Sequence, residues 1–157
     1  VPDRNLGQYV AAQVPDKRII LYAGYCPIHD RITPEQARAA RTAHPEALLL
    51  VHPECPREVT QLADYVGSTA GIIEYAKRSD GREFIIGTEE GIFHALTRDN
   101  PGKVFHPLVP DFTCPEMKKT TLSDVRDALK YERFAIEVDP DTAKKARASL
   151  DRMLAVV

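Results

Sequence analysis

Apolar positions in this chain fall in short runs, separated by longer stretches whose apolar residues recur at helical spacing. The runs predict strands at residues 18–24, 47–51, 65–66, 83–86, 103–108 and 134–137. Between them, the pattern predicts helices at 5–14, from Thr33 to about 43, at 56–63, from Ser68 or Thr69 to 78, from Thr88 to 97, at 121–131 and at 139–153. In the first helix Leu6, Tyr9 and Val10 share a face, with Asp3 or Asn5 available as cap. Thr33-Pro34-Glu35 combines an N-cap, a proline at the first helical position and an acid in the first turn. Ser79-Asp80-Gly81 and the 99–102 segment read as turns. Strands that alternate with helices in this way imply an α/β fold of short parallel sheets with helices on both faces.

Two of the runs stop at clusters of chemically capable side chains. The first delivers Tyr25, Cys26, His29 and Asp30, and the second delivers His52, Glu54 and Cys55. In open α/β sheets the ligand crevice lies beyond the carboxyl ends of the strands, so this edge is the expected active edge. Two repeats reinforce the pattern. Gly67-Ser68-Thr69-Ala70-Gly71-Ile72 matches Gly87-Thr88-Glu89-Glu90-Gly91-Ile92 twenty residues later. Each copy would put hydroxyls and free backbone N–H groups at a helix start, either as an anion site or simply as two well-capped helices. A Cys-Pro dipeptide occurs at Cys26 and again at Cys114, 88 residues apart, which brackets one α/β unit at about 29–113.

Composition adds limits. An apolar fraction of 43% and a charged fraction of 28% describe a chain able to bury a core. Net charge is −2 with no basic stripe, so a nucleic-acid partner is not expected. No apolar run approaches the ~18 residues of a membrane span, and no signal peptide is visible, so the expected location is cytoplasmic. The chain opens at Val1 with no initiator Met, as a fragment or processed chain would. Three widely spaced cysteines suit metal ligation better than a disulfide framework.

Cys26, His29, His52 and Cys55 form C-x-x-H and H-x-x-C pairs, which together could hold a structural zinc in an α/β metabolite-binding module. That arrangement leaves Cys114 unexplained. Glu54 is a candidate general base or a helix cap. His44 is expected at the surface and His94 packed or solvated, while His106 could face either way. No dinucleotide fingerprint, Walker A motif, nucleophile elbow or HExxH motif is present.

Six motifs, in order, resemble quinolinate synthase, the NadA-type enzyme of NAD biosynthesis. They are P-D-R-N-L-G at 2–7, G-Y-C-P-I-H-D-R-I at 24–32, V-H-P-E-C-P at 51–56, G-S-T-A-G-I-I at 67–73, G-T-E-E-G-I at 87–92 and C-P-E-M-K-K-T-T-L at 114–122. The resemblance covers nearly the whole chain. It implies three pseudo-threefold-related α/β/α domains around a 4Fe–4S cluster, each domain giving one cysteine. On that basis Cys26 and Cys114 are cluster ligands and Cys55 is not. The implied reaction condenses iminoaspartate with dihydroxyacetone phosphate to quinolinate, with one iron left open to act on substrate. His52 and Glu54 match catalytic and substrate-contacting positions. Ser68 and Thr69 match carboxylate- or phosphate-binding residues, Thr88 does so more weakly, and His29 would order the site. The enzyme that supplies iminoaspartate is an expected partner.

Members of that family are roughly twice as long. The resemblance therefore implies that residues 1–28 end a preceding domain, 29–113 form a complete one, and 114–157 return toward a first domain absent from this chain. That absent part should carry the third cysteine and a Tyr-x-Asn substrate motif, so this chain alone is expected to be inactive.

Overall fold

The computed structural model describes residues 2–156. The chain divides into two compact units, Val1–Cys114 and Pro115–Val157. The first holds a sheet of β1 (Leu48–Val51), β2 (Tyr65–Val66), β3 (Glu83–Gly87) and β4 (Val104–Pro107). Its order is β2-β1-β3-β4, and every neighbouring pair is parallel. Strands covered on both faces can be apolar at successive positions, which explains Leu-Leu-Leu-Val in β1 and Phe-Ile-Ile in β3.

The pleat divides these side chains between two cores. Leu49, Val51 and Ile85 pack with Ala37 of α3 (Pro34–Ala43) and Val59 of α4 (Arg57–Thr60). Leu50, Phe84 and Ile86 pack with Ile72 and Ala76 of α5 (Thr69–Arg78), and with Ile92 and Leu96 of α6 (Ile92–Asp99). The unit is a three-layer α/β/α sandwich, as the alternation of runs predicts. Burying each Leu, Ile or Phe contributes roughly 1.5–3 kcal/mol.

The loops after β1 and β3 diverge to α4 on one face and α6 on the other, so a crevice opens between these adjacent strands. Gly87 lets them close up: a Cβ there would lie 2.7 Å from Val51 Cγ1 and 3.3 Å from Val51 Cα. Ahead of the sheet lie α1 (Arg4–Gln13), capped by the Asp3 carboxylate accepting from Leu6 N–H, and the single-turn α2 (Pro27–Asp30). A capping box of Thr33 and Gln36 starts α3.

Three sequence expectations change. Residues 18–24 form no strand; Ile20 and Tyr22 are 71% and 69% exposed, so the apolar run finds no covering layer. Thr88 caps no helix, because α6 begins only at Ile92, with Gly91 at its N-cap. Residues 134–137 are irregular. Glu132 and Phe134 have φ of 52° and 65°, and a left-handed backbone at Phe134 is incompatible with starting a strand there.

The second unit, taken by itself, consists of α7 (Leu122–Tyr131) and α8 (Pro140–Leu154). Thr121 and Asp124 form a capping box on α7, and Asp139 accepts from Thr142 N–H to cap α8. No helix among the described residues is long and apolar enough to cross a membrane.

Candidate functional site

The carboxyl ends of the strands place the site. β1 ends at Val51 and delivers His52 and Glu54, β2 is followed by Ser68 and Thr69, and β3 is followed by Thr88 and Glu89. Into the crevice between the β1 and β3 loops comes His29, carried by α2 and only 7% exposed. Its Nε2 lies 3.0 Å from Thr88 Oγ1. Its Nδ1 lies 3.1 Å from Cys26 Sγ and 3.2 Å from Glu54 Oε2. Its ring stacks on His52, with centroids 4.7 Å apart, and meets Phe112 edge-on.

These contacts assign protons. An ionised Glu54 can only accept, so Nδ1 of His29 carries the hydrogen and the Thr88 hydroxyl donates to Nε2. Burial, reinforced by the neighbouring His52, pulls His29 down to about 4, so the contact with Glu54 is a hydrogen bond from a neutral ring. His52 Nδ1 accepts the Glu54 backbone N–H at 3.3 Å, which leaves its proton on Nε2. Burial also lowers the His52 pKa, against the pull of Asp3. Glu54 moves the other way: burial and the Asp3 charge raise its carboxyl, opposed by a hydrogen bond from Cys26. A neutral imidazole therefore stands beside a carboxylate whose hold on a proton is strengthened by burial, a pairing suited to proton transfer.

The three cysteines are free and differ. Cys26 and Cys114 are half-buried. Burial pushes the Cys26 thiol up, opposed by the backbone N–H groups of His29 and Ile28, and reinforced by Glu54 and Cys114. Cys55 is 1% exposed, donates to Gly87 O at 3.6 Å, and is pushed by burial up to about 12. The four-residue zinc set is thus corrected. Cys55 is turned into the core, and the rings of His29 and His52 stack 26° apart. The metal-ligating atoms that do converge here are those of Cys26, His29 and Glu54.

Ser68 is exposed and its hydroxyl accepts Gly71 N–H at 3.2 Å, while Thr69 is exposed at the first position of α5. Gly67 and Gly71 make room for Tyr65: a Cβ at Gly67 would lie 2.6 Å from its ring, and one at Gly71 would lie 2.7 Å from its hydroxyl. Thr88, 3% exposed, is held behind His29 instead. The two Gly-[Ser/Thr] turns are therefore not equivalent. In the second, the Glu89 carboxylate takes over, accepting from Gly91 N–H at 2.7 Å and Cys114 N–H at 3.3 Å.

The sequence reading gave no site role to the residues that brace these loops. Arg4 donates to both carboxylate oxygens of Asp30 at 2.8 Å. Asn5 Nδ2 donates to Asp30 Oδ1 at 2.8 Å and to the Glu54 carbonyl at 3.0 Å. Asp3 Oδ2 accepts Cys26 N–H at 2.8 Å. The signal was a run of three consecutive polar residues ahead of an apolar helix face, where only a cap was expected.

Among the other histidines, His94 is exposed on α6. His44 and His106 stack with centroids 3.6 Å apart and 16° between planes, and Glu83 accepts from His106 at 2.7 Å. The metal-ligating atoms of His44, Glu83 and His106 lie within 4.8 Å of one another, away from the β1 and β3 loops that carry His52 and Thr88.

A profile of the quinolinate synthetase A protein family matches residues 1–155. Quinolinate synthase of Caldicellulosiruptor bescii is 51% identical over 98% of this chain and 51% of its own length. That of Methanoregula boonei is 50% identical over 99% of this chain and 51% of its length. That of Thermodesulfovibrio yellowstonii is 45% identical over 100% and 52%. The chain spans about half the length of the curated relatives it matches. With its motifs, sandwich and match in agreement, the chain belongs to the quinolinate synthetase A family.

Proposed function

We propose that this chain forms part of a quinolinate synthase and carries two cluster cysteines and an acid–base pair. The reaction joins iminoaspartate to dihydroxyacetone phosphate and releases quinolinate, one phosphate and two molecules of water. The observation that carries the reading is the meeting of Cys26, His29, His52 and Glu54 at the carboxyl edge of the sheet.

The cysteines support a 4Fe–4S cluster. Cys26 and Cys114 are half-buried and close enough for the charge of one to act on the other, while Cys55 is spent on the core. Cys26 and Cys114 would be two ligands, and a third cysteine would come from outside this chain. A bound cluster with one iron free of protein ligands would supply Lewis acidity toward a substrate oxygen.

The protein groups would move protons. Glu54, with its raised carboxyl, takes a proton from carbon or nitrogen and returns it to a departing hydroxyl. His52 donates from Nε2, its other nitrogen fixed by the Glu54 amide. Ser68, Thr69 and the start of α5 would receive carboxylate or phosphate oxygens. Thr88 acts through His29 by holding its ring. An imine hydrolyses readily in water, which favours direct supply of iminoaspartate by its producing enzyme.

Anaerobic reconstitution of the protein carrying this chain, with iron and sulfide analysis and a quinolinate assay, tests the reading. Iron, sulfide and quinolinate formation are expected together, and all three should fall in Cys26→Ser and Cys114→Ser. Absence of iron and sulfide from reconstituted protein would overturn the cluster assignment.

A further inference from the structure

We propose that Asp3 and Glu89 are paired positioning residues, each fixing one cluster cysteine by its backbone N–H and adding a negative charge beside it. The inference rests on the cluster reading above for its second half only. Both carboxylates are 6% exposed. Each uses one oxygen to close a helix start or turn: Asp3 Oδ1 accepts from Leu6 N–H at 2.8 Å, and Glu89 Oε2 from Gly91 N–H at 2.7 Å. Each turns its other oxygen to a cysteine amide, Cys26 at 2.8 Å and Cys114 at 3.3 Å. Two loops distant in sequence thus share one device.

The arrangement has two physical consequences. First, the loop bearing each cysteine is tied to a helix or turn start by charge-assisted hydrogen bonds, which are about twice as strong as neutral ones. Second, both cysteine amides are committed to carboxylates, so neither is available to donate to cluster sulfur, and two carboxylates stand close by. The fields of both reach His29, and that of Asp3 also reaches Glu54. Fewer N–H···S bonds and added negative charge both lower a cluster's reduction potential. A cluster used as a Lewis acid is thereby held in its oxidised form.

Asp3→Asn and Glu89→Gln test this with little change of shape. In each, the amide oxygen can keep the helix or turn bond, while its NH2 faces the cysteine amide donor to donor. Asp139→Asn, which alters a cap far from any cysteine in sequence, is the control. In metal-free protein, Asp3→Asn should speed alkylation of Cys26 about tenfold while leaving Cys114 unchanged, and Glu89→Gln should do the reverse. In reconstituted protein, each should raise the reduction potential while iron and sulfide content hold. Should one variant not fold, the other decides alone. The proposal is overturned if both thiols speed up together in step with a falling Tm, or if the potential moves no more than in Asp139→Asn. If unmodified protein takes up no iron or sulfide, the cluster reading fails, and the alkylation pattern still decides the positioning role.

Discussion

The imidazole of His29 supports that of His52 by stacking on it, 4.7 Å between centroids and 26° between planes, while His52 Nδ1 accepts the Glu54 backbone N–H. His29→Ala removes that support together with three polar contacts, to Cys26, Glu54 and Thr88. It is expected to cost about 2–3 kcal/mol, read by urea denaturation. Thr88→Val keeps the ring in place and should cost about 1 kcal/mol. Equal costs for the two would show that the stack and the Nδ1 contacts contribute nothing.

Acid should weaken the metal-free protein as its buried histidines are forced to take up protons. His29 falls to about 4 when folded and returns to 6.5 when unfolded, and His52 shifts in the same direction. The unfolded state therefore binds more protons between these values, so stability is full above pH 6.5 and is lost as pH falls toward 4. His29 alone accounts for about 3 kcal/mol of that loss. Denaturation at pH 7 and pH 4.5, compared with His29→Gln, measures it.

The thiols should react in two classes. Cys26 and Cys114 are half-buried and should be alkylated in the folded, metal-free protein. Cys55, held protonated up to about 12, should react only on unfolding. Mass spectrometry of iodoacetamide-treated protein distinguishes the two classes. Cys55→Ala should keep bound iron, at about 1–2 kcal/mol of stability for the lost packing.

Gly87→Ala should be the most damaging single methyl. The added Cβ meets both the side chain and the backbone of Val51, which the sheet register holds fixed. Overpacking of this kind costs about 1–3 kcal/mol and should displace Thr88 from His29. Thermal unfolding would record it, and an unchanged Tm would show that β1 and β3 can separate without cost.

Asn5→Ala should loosen the loop that carries Glu54, because Asn5 bridges Asp30 and the Glu54 carbonyl. A cost of about 1–2 kcal/mol is expected. A double-mutant cycle with Asp30→Ala should find the two changes strongly non-additive.

The parts of this fold legible in sequence were those fixed locally. Leu-Leu-Leu-Val and Phe-Ile-Ile, short and bounded by turn signals, read as buried strands, and Thr33, Ser68, Thr121 and Asp139 announce their helices by capping chemistry. Residues 18–24 have the same apolar character, but strand formation depends on a neighbour, which sequence does not display. Phe134 failed for a backbone reason, its left-handed φ. At the site, Cys26, His29, His52 and Glu54 were visible as residue types at strand and loop ends. The bracing of Asp3, Asn5 and Glu89 was not, because their partners lie 23 to 49 residues away and the bonds run to backbone atoms. Thr88 caps no helix although its motif copies that of Ser68, because its hydroxyl is turned to His29 and α6 starts later.

The exposed run around Ile20, Leu21 and Tyr22 also bears on how the protein is handled. A short, β-prone apolar segment at the surface is a nucleus for self-association, and natural sequences restrain such segments with flanking charges. Here Lys17 and Arg18 stand directly ahead of it as cationic gatekeepers. Their repulsion between molecules is screened by salt, so high ionic strength during purification should promote precipitation, and low-salt buffers should prevent it.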